Sequence, residues 1–185
     1  MTSTALKALT ATTGNRTDKW NTPPEFVGDV VKFFGTIDLD PCSNSEGNPN
    51  VPANNYYTEK SNGLAHNWHG KVFMNHPYSN SKEWVPYAAL QYESGNAEEL
   101  VLLIKVDVST KWWQSIDKYP WVAVNKRLKF GSGKGAAPLP DPNFILLLTA
   151  IQGYLSTDCH HLVETSSLMS NTNSSAFPDS YCKAA

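Results

Sequence analysis

Long hydrophobic runs are missing from this 185-residue chain. No apolar stretch approaches the roughly 18–20 residues that a bilayer-crossing helix needs, so no membrane association is expected. Cysteine is scarce: Cys42, Cys159 and Cys182 are far apart, odd in number and without a C-x-x-C pair. A disulfide framework and a zinc ribbon are both excluded by that pattern. The doublet His160-His161 beside Cys159 is the one hint of a metal, but adjacent residues rarely point at one ion. A solvated loop is the preferred reading, and no metal is expected. An overall positive charge is also lacking. The net charge of −2 excludes a protein that grips nucleic acid by bulk charge alone. Residues 1–17, rich in Thr and Ala, lack the apolar centre of a signal peptide, so a cytoplasmic protein with a mobile arm over 1–18 is expected.

The length suits a single domain with one sizeable core. Charge is unevenly spread within it. Lys105, Lys111, Lys118, Lys126, Arg127, Lys129 and Lys134 stand against only Asp107 and Asp117 in that stretch. Such an excess can face phosphates or simply form a solvated surface.

Thr22-Pro23-Pro24 precedes apolar residues at Phe26, Val27, Val30, Val31, Phe33 and Phe34, with Gly35 after them. A capping Thr22, prolines in the first turn and a terminating glycine predict an amphipathic helix. Thr36 to Leu39 reads as a short strand ending in Asp40-Pro41. The polar stretch from Ser43 to Asn62 reads as a long loop, which inside a compact domain is usually functional or mobile. Lys71 to Met74 is a second short strand, and a helix is predicted from Ser81 to Glu93 with Trp84, Tyr87, Ala88 and Leu90 among its apolar positions. The nearly continuous apolar run Leu100 to Val106 predicts a strand buried on both faces. A short helix over Thr110 to Lys118 carries Trp112 and Trp113, of which at least one should be core. Trp121 to Phe130 and Asn143 to Ala150 complete the predicted strands. This alternation of strands and helices predicts an α/β sheet with crossover connections. Residues 156–185 are polar and rich in Ser and Asn, and read as a loosely ordered tail.

Two segments share a layout that carries chemistry. Ile37-Asp38-Leu39-Asp40-Pro41-Cys42 and Val72-Phe73-Met74-Asn75-His76-Pro77-Tyr78 each place polar residues at the carboxyl end of a strand. Open α/β sheets bind ligands just beyond those ends, so two adjacent strands of this kind would face one crevice. Taken singly, each is equally a strand ending in a turn. Asp107, at the end of the long apolar strand, can line the crevice or cap the next helix. His66 and His69, flanking Trp68, read as loop residues.

Together these segments resemble the phage-type DNA N6-adenine methyltransferase family. The resemblance runs from about Trp20 to Ala150 and rests on Trp20-Asn21-Thr22-Pro23-Pro24, Asp38-Leu39-Asp40-Pro41-Cys42, Asn62-Gly63-Leu64 with Trp68 and Gly70, Asn75-His76-Pro77-Tyr78-Ser79, Trp112-Trp113 and Arg127-Leu128-Lys129-Phe130. It implies a Rossmann-like class I methyltransferase sheet with flanking helices, a single domain over 19–155, and S-adenosylmethionine as methyl donor. Trp20, Thr22 and Pro23 match the segment that closes over the methionine part of the cofactor. Asp40 and Pro41 match the loop whose acidic group lies near its amino end, and Asn62 matches the position that accepts from its adenine amine. Asn75, His76, Pro77 and Tyr78 match the catalytic motif, which usually reads Asp or Asn, Pro, Pro, then an aromatic.

The chemistry implied at that motif is simple. The N6 lone pair of adenine is delocalised into the ring, and acceptors on its two hydrogens favour the nucleophilic form. The Asn75 side-chain oxygen and the carbonyl of residue 76 would supply them, Asn75 also lying against the cofactor, while Tyr78 would stack on a base flipped from the duplex. His76 replaces the usual proline, but any residue has the backbone carbonyl. Lys105, Arg127 and Lys129 are the implied DNA contacts. Specificity is expected to come from loops over 43–62 and 131–142, and a monomer or weak dimer is expected. The same chemistry suits RNA adenine or a protein glutamine amide, and loss of catalysis through His76 would leave a DNA- or cofactor-binding relic.

Overall fold

Two prolines start the first helix and a glycine stops it. In the computed structural model α1 spans Pro24–Phe34, with Pro23 at its N-cap and Gly35 after it at φ 77°. A positive φ costs glycine little and other residues more, so Gly35 lets the chain turn away. Thr22 does not cap α1, contrary to the expectation. Its hydroxyl serves Asn75 instead. The structure describes residues 20–47, 49–119, 121–124, 128–131, 136–138 and 144–149. The arm over 1–18, the tail over 156–185, Arg127, Cys159, Cys182 and the His160-His161 doublet lie outside them.

The strands are β1 (Ile37–Ser43), β2 (Ala53–Thr58), β3 (Gly70–Met74), β4 (Ala97–Lys105), β5 (Trp121–Ala123), β6 (Lys129–Gly131), β7 (Ala136–Pro138) and β8 (Phe144–Thr149); α2 spans Ser81–Glu93. Six strands form one sheet in the order β2-β1-β3-β4-β8-β5, and β6 pairs with β7 separately. Strands β2, β1, β3 and β4 are parallel, and β8 runs antiparallel to both β4 and β5. This mixed α/β sheet with four parallel strands and flanking helices fits a Rossmann-like fold.

Alternation of side chains sends the two helices to opposite faces of the sheet. Phe26, Val30 and Phe34 of α1 pack with Ile37, Phe73, Val101 and Leu103. Trp84, Val85 and Ala88 of α2 pack with Leu39, Val72, Met74, Leu100, Leu102 and Ile104. Strand β4 is thus buried on both faces, as its apolar run predicts. The α2 boundaries agree with the sequence, but Leu90 is 52% exposed.

Several expectations are corrected. The polar stretch after β1 holds strand β2, parallel to β1 in a register that pairs Ile37 with Ala53 and Leu39 with Asn55. Asp38 ties β1 to both of its neighbours: its carboxylate accepts from Asn54 Nδ2 of β2 at 3.1 Å and from the Lys71 amide of β3 at 2.9 Å. Asp40 and Pro41 lie within β1, whose pairing with β2 shifts register between Asp40 and Ser43. A proline cannot donate to a ladder, which suits that irregularity. Residues 110–118 form turns and a single short 3₁₀ turn, Trp113–Ser115, rather than a helix. The segment read as one strand from Trp121 to Phe130 divides between β5 and β6, which belong to different sheets. Crossover helices are fewer than the alternation suggests, since β1 leads to the parallel β2 with no helix among the described residues between them.

One glycine is fixed by close approach. A Cβ at Gly63 would collide with the carbonyl of Pro41. Gly63→Ala is therefore expected to cost about 1–3 kcal/mol of stability, because backbone rather than a flexible side chain must give way. Thermal unfolding measures it; an unchanged melting temperature would mean that β1 yields there at no cost.

Candidate active site

Parallel pairing of β1 with β3 brings the two polar strand ends side by side, with Leu39 opposite Val72. Asp40 and Asn75 consequently sit at the same edge of the sheet, as the sequence predicts for one crevice.

Asp40 is 4% exposed. Its Oδ1 accepts from the Cys42 amide at 3.1 Å. Burial pushes its pKa up to about 7, with the hydrogen bonds from the Cys42 amide and thiol pulling the other way. Burial also raises the Cys42 thiol, reinforced by the charge of Asp40 and opposed by a hydrogen bond from the Asn75 backbone. Cys42 therefore bridges the acid on β1 to the motif after β3, a link that sequence spacing does not reveal. A desolvated carboxyl of this kind fits the cationic end of a ligand, because an incoming ammonium relieves the cost of its charge. Asn62 adopts the left-handed region at φ 53°. Its Oδ1 accepts from the Leu64 amide at 3.3 Å, capping the turn that carries Gly63. One lone pair of that oxygen is thus engaged by the chain itself.

The segment from Trp20 to Pro23 is laced over this edge. Asn44 donates to the Trp20 carbonyl at 2.7 Å, and Asn50 donates to the Thr22 carbonyl at 3.0 Å. Trp20 is half-buried against the α1 face of the core. The Thr22 hydroxyl accepts from Asn75 Nδ2 at 2.9 Å, and the Tyr78 hydroxyl donates to Asn75 Oδ1 at 2.8 Å. Asn75 is therefore held at both ends of its amide.

His76 is 2% exposed. Its Nε2 lies 2.8 Å from Ser81 Oγ, which donates to the Tyr78 carbonyl at 2.8 Å. With that hydroxyl proton committed, His76 carries its own proton on Nε2 and donates it to Ser81. Nδ1 is buried without a partner, and burial lowers the pKa of the ring to about 3. The ring also meets Tyr78 edge-on, with centroids 5.6 Å apart. His76 is thus a neutral strut between Ser81 and Tyr78, and no proton transfer is required of it. Sequence reasoning misses Ser81; the only signal for it is a hydroxyl at the start of α2. His76→Pro keeps the carbonyl of residue 76 but removes the strut. Turnover is expected to persist while the melting temperature falls, as thermal unfolding and methylation assays would show. Loss of turnover in a folded variant would instead show that the imidazole itself has a role in turnover.

Beyond Tyr78 opens a cleft of about 810 Å³, whose lining includes Ser79, Lys82, Lys105, Asp107, Val108 and Trp112. Lys105, at the end of β4, and Lys82, at the start of α2, are both exposed and line this cleft. Asp107 caps no helix, because the chain after it forms turns and the short 3₁₀ turn begins only at Trp113. It lines the cleft, and its Oδ1 accepts from the Ser109 amide at 3.1 Å and the Ser109 hydroxyl at 2.6 Å. Trp113 is core and Trp112 half-buried. Lys129 is exposed on β6, away from the cleft lining. Lys118 is engaged by Glu93 at 2.6 Å, so the basic stretch does not act as one face. His66 and His69 are loop residues; His66 stacks on Tyr57 with centroids 4.3 Å apart. Among the described residues no group of three or more His, Cys, Asp or Glu gathers as a metal site, and no helix is long and apolar enough to cross a membrane.

The chain is similar to known proteins over most of its length. The family model described as DNA N-6-adenine-methyltransferase (Dam) matches residues 9–148. A DNA N-6-adenine-methyltransferase of Haemophilus phage HP1 (strain HP1c1) is 35% identical over 98 residues, covering 52% of this chain and 54% of the relative. The match thus spans about half the length of that relative. No solved structure matches the chain.

Proposed function

Because the chain belongs to the DNA N-6-adenine-methyltransferase family, we propose that it transfers a methyl group from S-adenosylmethionine to N6 of adenine in DNA, through a class I methyltransferase unit over residues 19–155. The observation that carries this reading is the placement of a buried acid, Asp40, and an oriented amide, Asn75, on adjacent parallel strand ends. S-adenosylmethionine, when bound, supplies an electrophilic methyl on its sulfonium. Asp40 and Pro41 would hold the amino end of the cofactor, Asn62 would accept from its adenine amine, and the segment from Trp20 to Pro23 would close over its methionine part.

Asn75 Oδ1 accepts one N6 hydrogen of the target base and the carbonyl of residue 76 accepts the other. Both contacts strengthen as positive charge develops on the nitrogen. The Tyr78 ring, steadied by His76, stacks on the extruded base. Positioning accounts for the rest of the rate, since no strongly basic residue is needed to begin the attack. The cleft past Tyr78 receives the DNA, with Lys82 and Lys105 near phosphate and Trp112 and Val108 offering apolar surface. Arg127 and Lys129 are further proposed phosphate contacts. Such a protein works in the cytoplasm, that of the host if a phage encodes it.

Binding to DNA is expected to weaken steeply with salt. Lys82→Ala and Lys105→Ala are each expected to reduce the slope of log K against log salt by about 0.7–0.9. Fluorescence anisotropy over a salt series measures this, and an unchanged slope in both variants would place the DNA elsewhere. The acceptor class itself is tested with labelled cofactor and separate DNA, RNA and protein substrates. Label entering DNA alone supports the proposal; label in RNA or protein glutamine, or cofactor binding with no transfer at all, overturns it.

A further inference from the structure

We infer that Thr22 is a positioning residue for the catalytic amide: its hydroxyl accepts from Asn75 Nδ2 and so keeps Oδ1 turned toward the base. This rests on the methyltransferase reading and goes beyond the cofactor contact expected of Thr22. An asparagine in this position has a difficulty that an aspartate lacks. A carboxylate presents an acceptor whichever way it turns, whereas an amide rotated by half a turn presents N–H groups to the N6 amine and repels it.

The contacts address that difficulty from both sides. Thr22 Oγ1 lies 2.9 Å from Nδ2, and Tyr78 Oη donates to Oδ1 at 2.8 Å. The tyrosine hydroxyl thus fills, as a donor, the acceptor that the amine N–H will use. Thr22 is 3% exposed, so water does not readily replace its hydroxyl. Its position is secured independently of its side chain, since Asn50 holds its carbonyl at 3.0 Å. Thr22→Val keeps the shape and that backbone contact, and removes only the acceptor. The amide nitrogen of half-buried Asn75 then loses its protein partner in the reactive orientation, and that orientation is no longer favoured.

The test is a double-mutant cycle on the full chain, with Thr22→Val measured in the wild-type and in the Asn75→Asp backgrounds. In wild type, Thr22→Val is expected to lower kcat by roughly tenfold or more, the size of one lost hydrogen bond, with a much smaller change in the Kd for S-adenosylhomocysteine. In the Asn75→Asp background the same substitution is expected to change kcat by less than about threefold, because a carboxylate has no wrong orientation. Thr22→Ser is expected to recover most of the lost rate. The Asn75 side-chain amide protons, followed by NMR in the absence of substrate, should lose protection from exchange in Thr22→Val. Equal losses of kcat in both backgrounds, or a loss confined to cofactor affinity, would overturn the inference while leaving the methyltransferase reading intact. Unaltered amide protection overturns it even without an activity assay. A wild-type protein inactive on DNA, with the amide effect present, would count against the proposed function instead.

Discussion

Asn75→Ala is expected to lower turnover by about 10²–10³, with cofactor affinity changed far less. The magnitude is that of removing one preorganised contact to charge that develops in the transition state. Three features of the site argue for placing the loss in kcat. Thr22 already orients the Asn75 amide, so when the base arrives Oδ1 has only to exchange the Tyr78 hydroxyl for the N6 hydrogen. The N6 charge that Oδ1 is proposed to stabilise is small in the ground state and grows only during attack. The buried acid proposed to meet the cofactor, Asp40, lies on β1 and not on the motif that carries Asn75. Removing the amide should therefore lower kcat and kcat/KM together. Steady-state kinetics with calorimetric cofactor titration checks this, and an Asn75→Ala protein with unaltered kcat would mean that the nitrogen is activated elsewhere.

Cofactor binding is expected to tighten as pH rises through about 7. Burial holds the Asp40 carboxyl protonated up to that point in the free protein. A cationic amino group binds the carboxylate and not the acid, so association in the acidic range must release a proton. From pH 7.5 down to 5.5 the Kd should weaken by roughly 20–30-fold, following tenfold per pH unit once Asp40 is protonated. The stability of the free protein carries the opposite sign. Between about 4 and 7 the folded chain holds a proton on Asp40 that the unfolded chain has lost, so this group's contribution falls as pH rises. Buried His76 works against that trend. Its pKa is depressed to about 3, so its contribution is complete above about 6.5 and is lost as pH falls toward 3. Asp40→Asn should weaken binding at neutral pH and abolish its pH dependence. Titration calorimetry in two buffers of different ionisation enthalpy reads the proton directly; a Kd independent of pH from 5.5 to 8 would remove Asp40 from the cofactor site.

Much of this frame was legible in the sequence because burial leaves a pattern. The run Leu100 to Val106 announces β4, and the spacing from Ser81 to Glu93 marks α2 at its observed limits. The pairing of two polar strand ends was equally readable, since Asp40 and Asn75 each follow an apolar run. Strand β2 escaped because its Asn54, Asn55 and Tyr56 are all exposed at the edge of the sheet, so no alternation betrays it. The contacts that orient the site were invisible for a different reason. Thr22 reaches Asn75 across 53 residues, and Ser81 engages His76 only because the chain turns between them. A local pattern assigned Thr22 to a helix cap, and a long-range hydrogen bond claimed it instead.

Whether the oriented amide at Asn75 directs a methyl group to N6 of adenine in DNA is tested most directly on the product. The protein is incubated with S-adenosylmethionine and unmethylated genomic DNA, and the DNA is digested to nucleosides and quantified by mass spectrometry. N6-methyl-2′-deoxyadenosine should accumulate with wild type, and at a rate at least about a hundredfold lower with Asn75→Ala. Methyl groups appearing on cytosine, or none on any deoxynucleoside from a folded, cofactor-binding protein, would contradict that role.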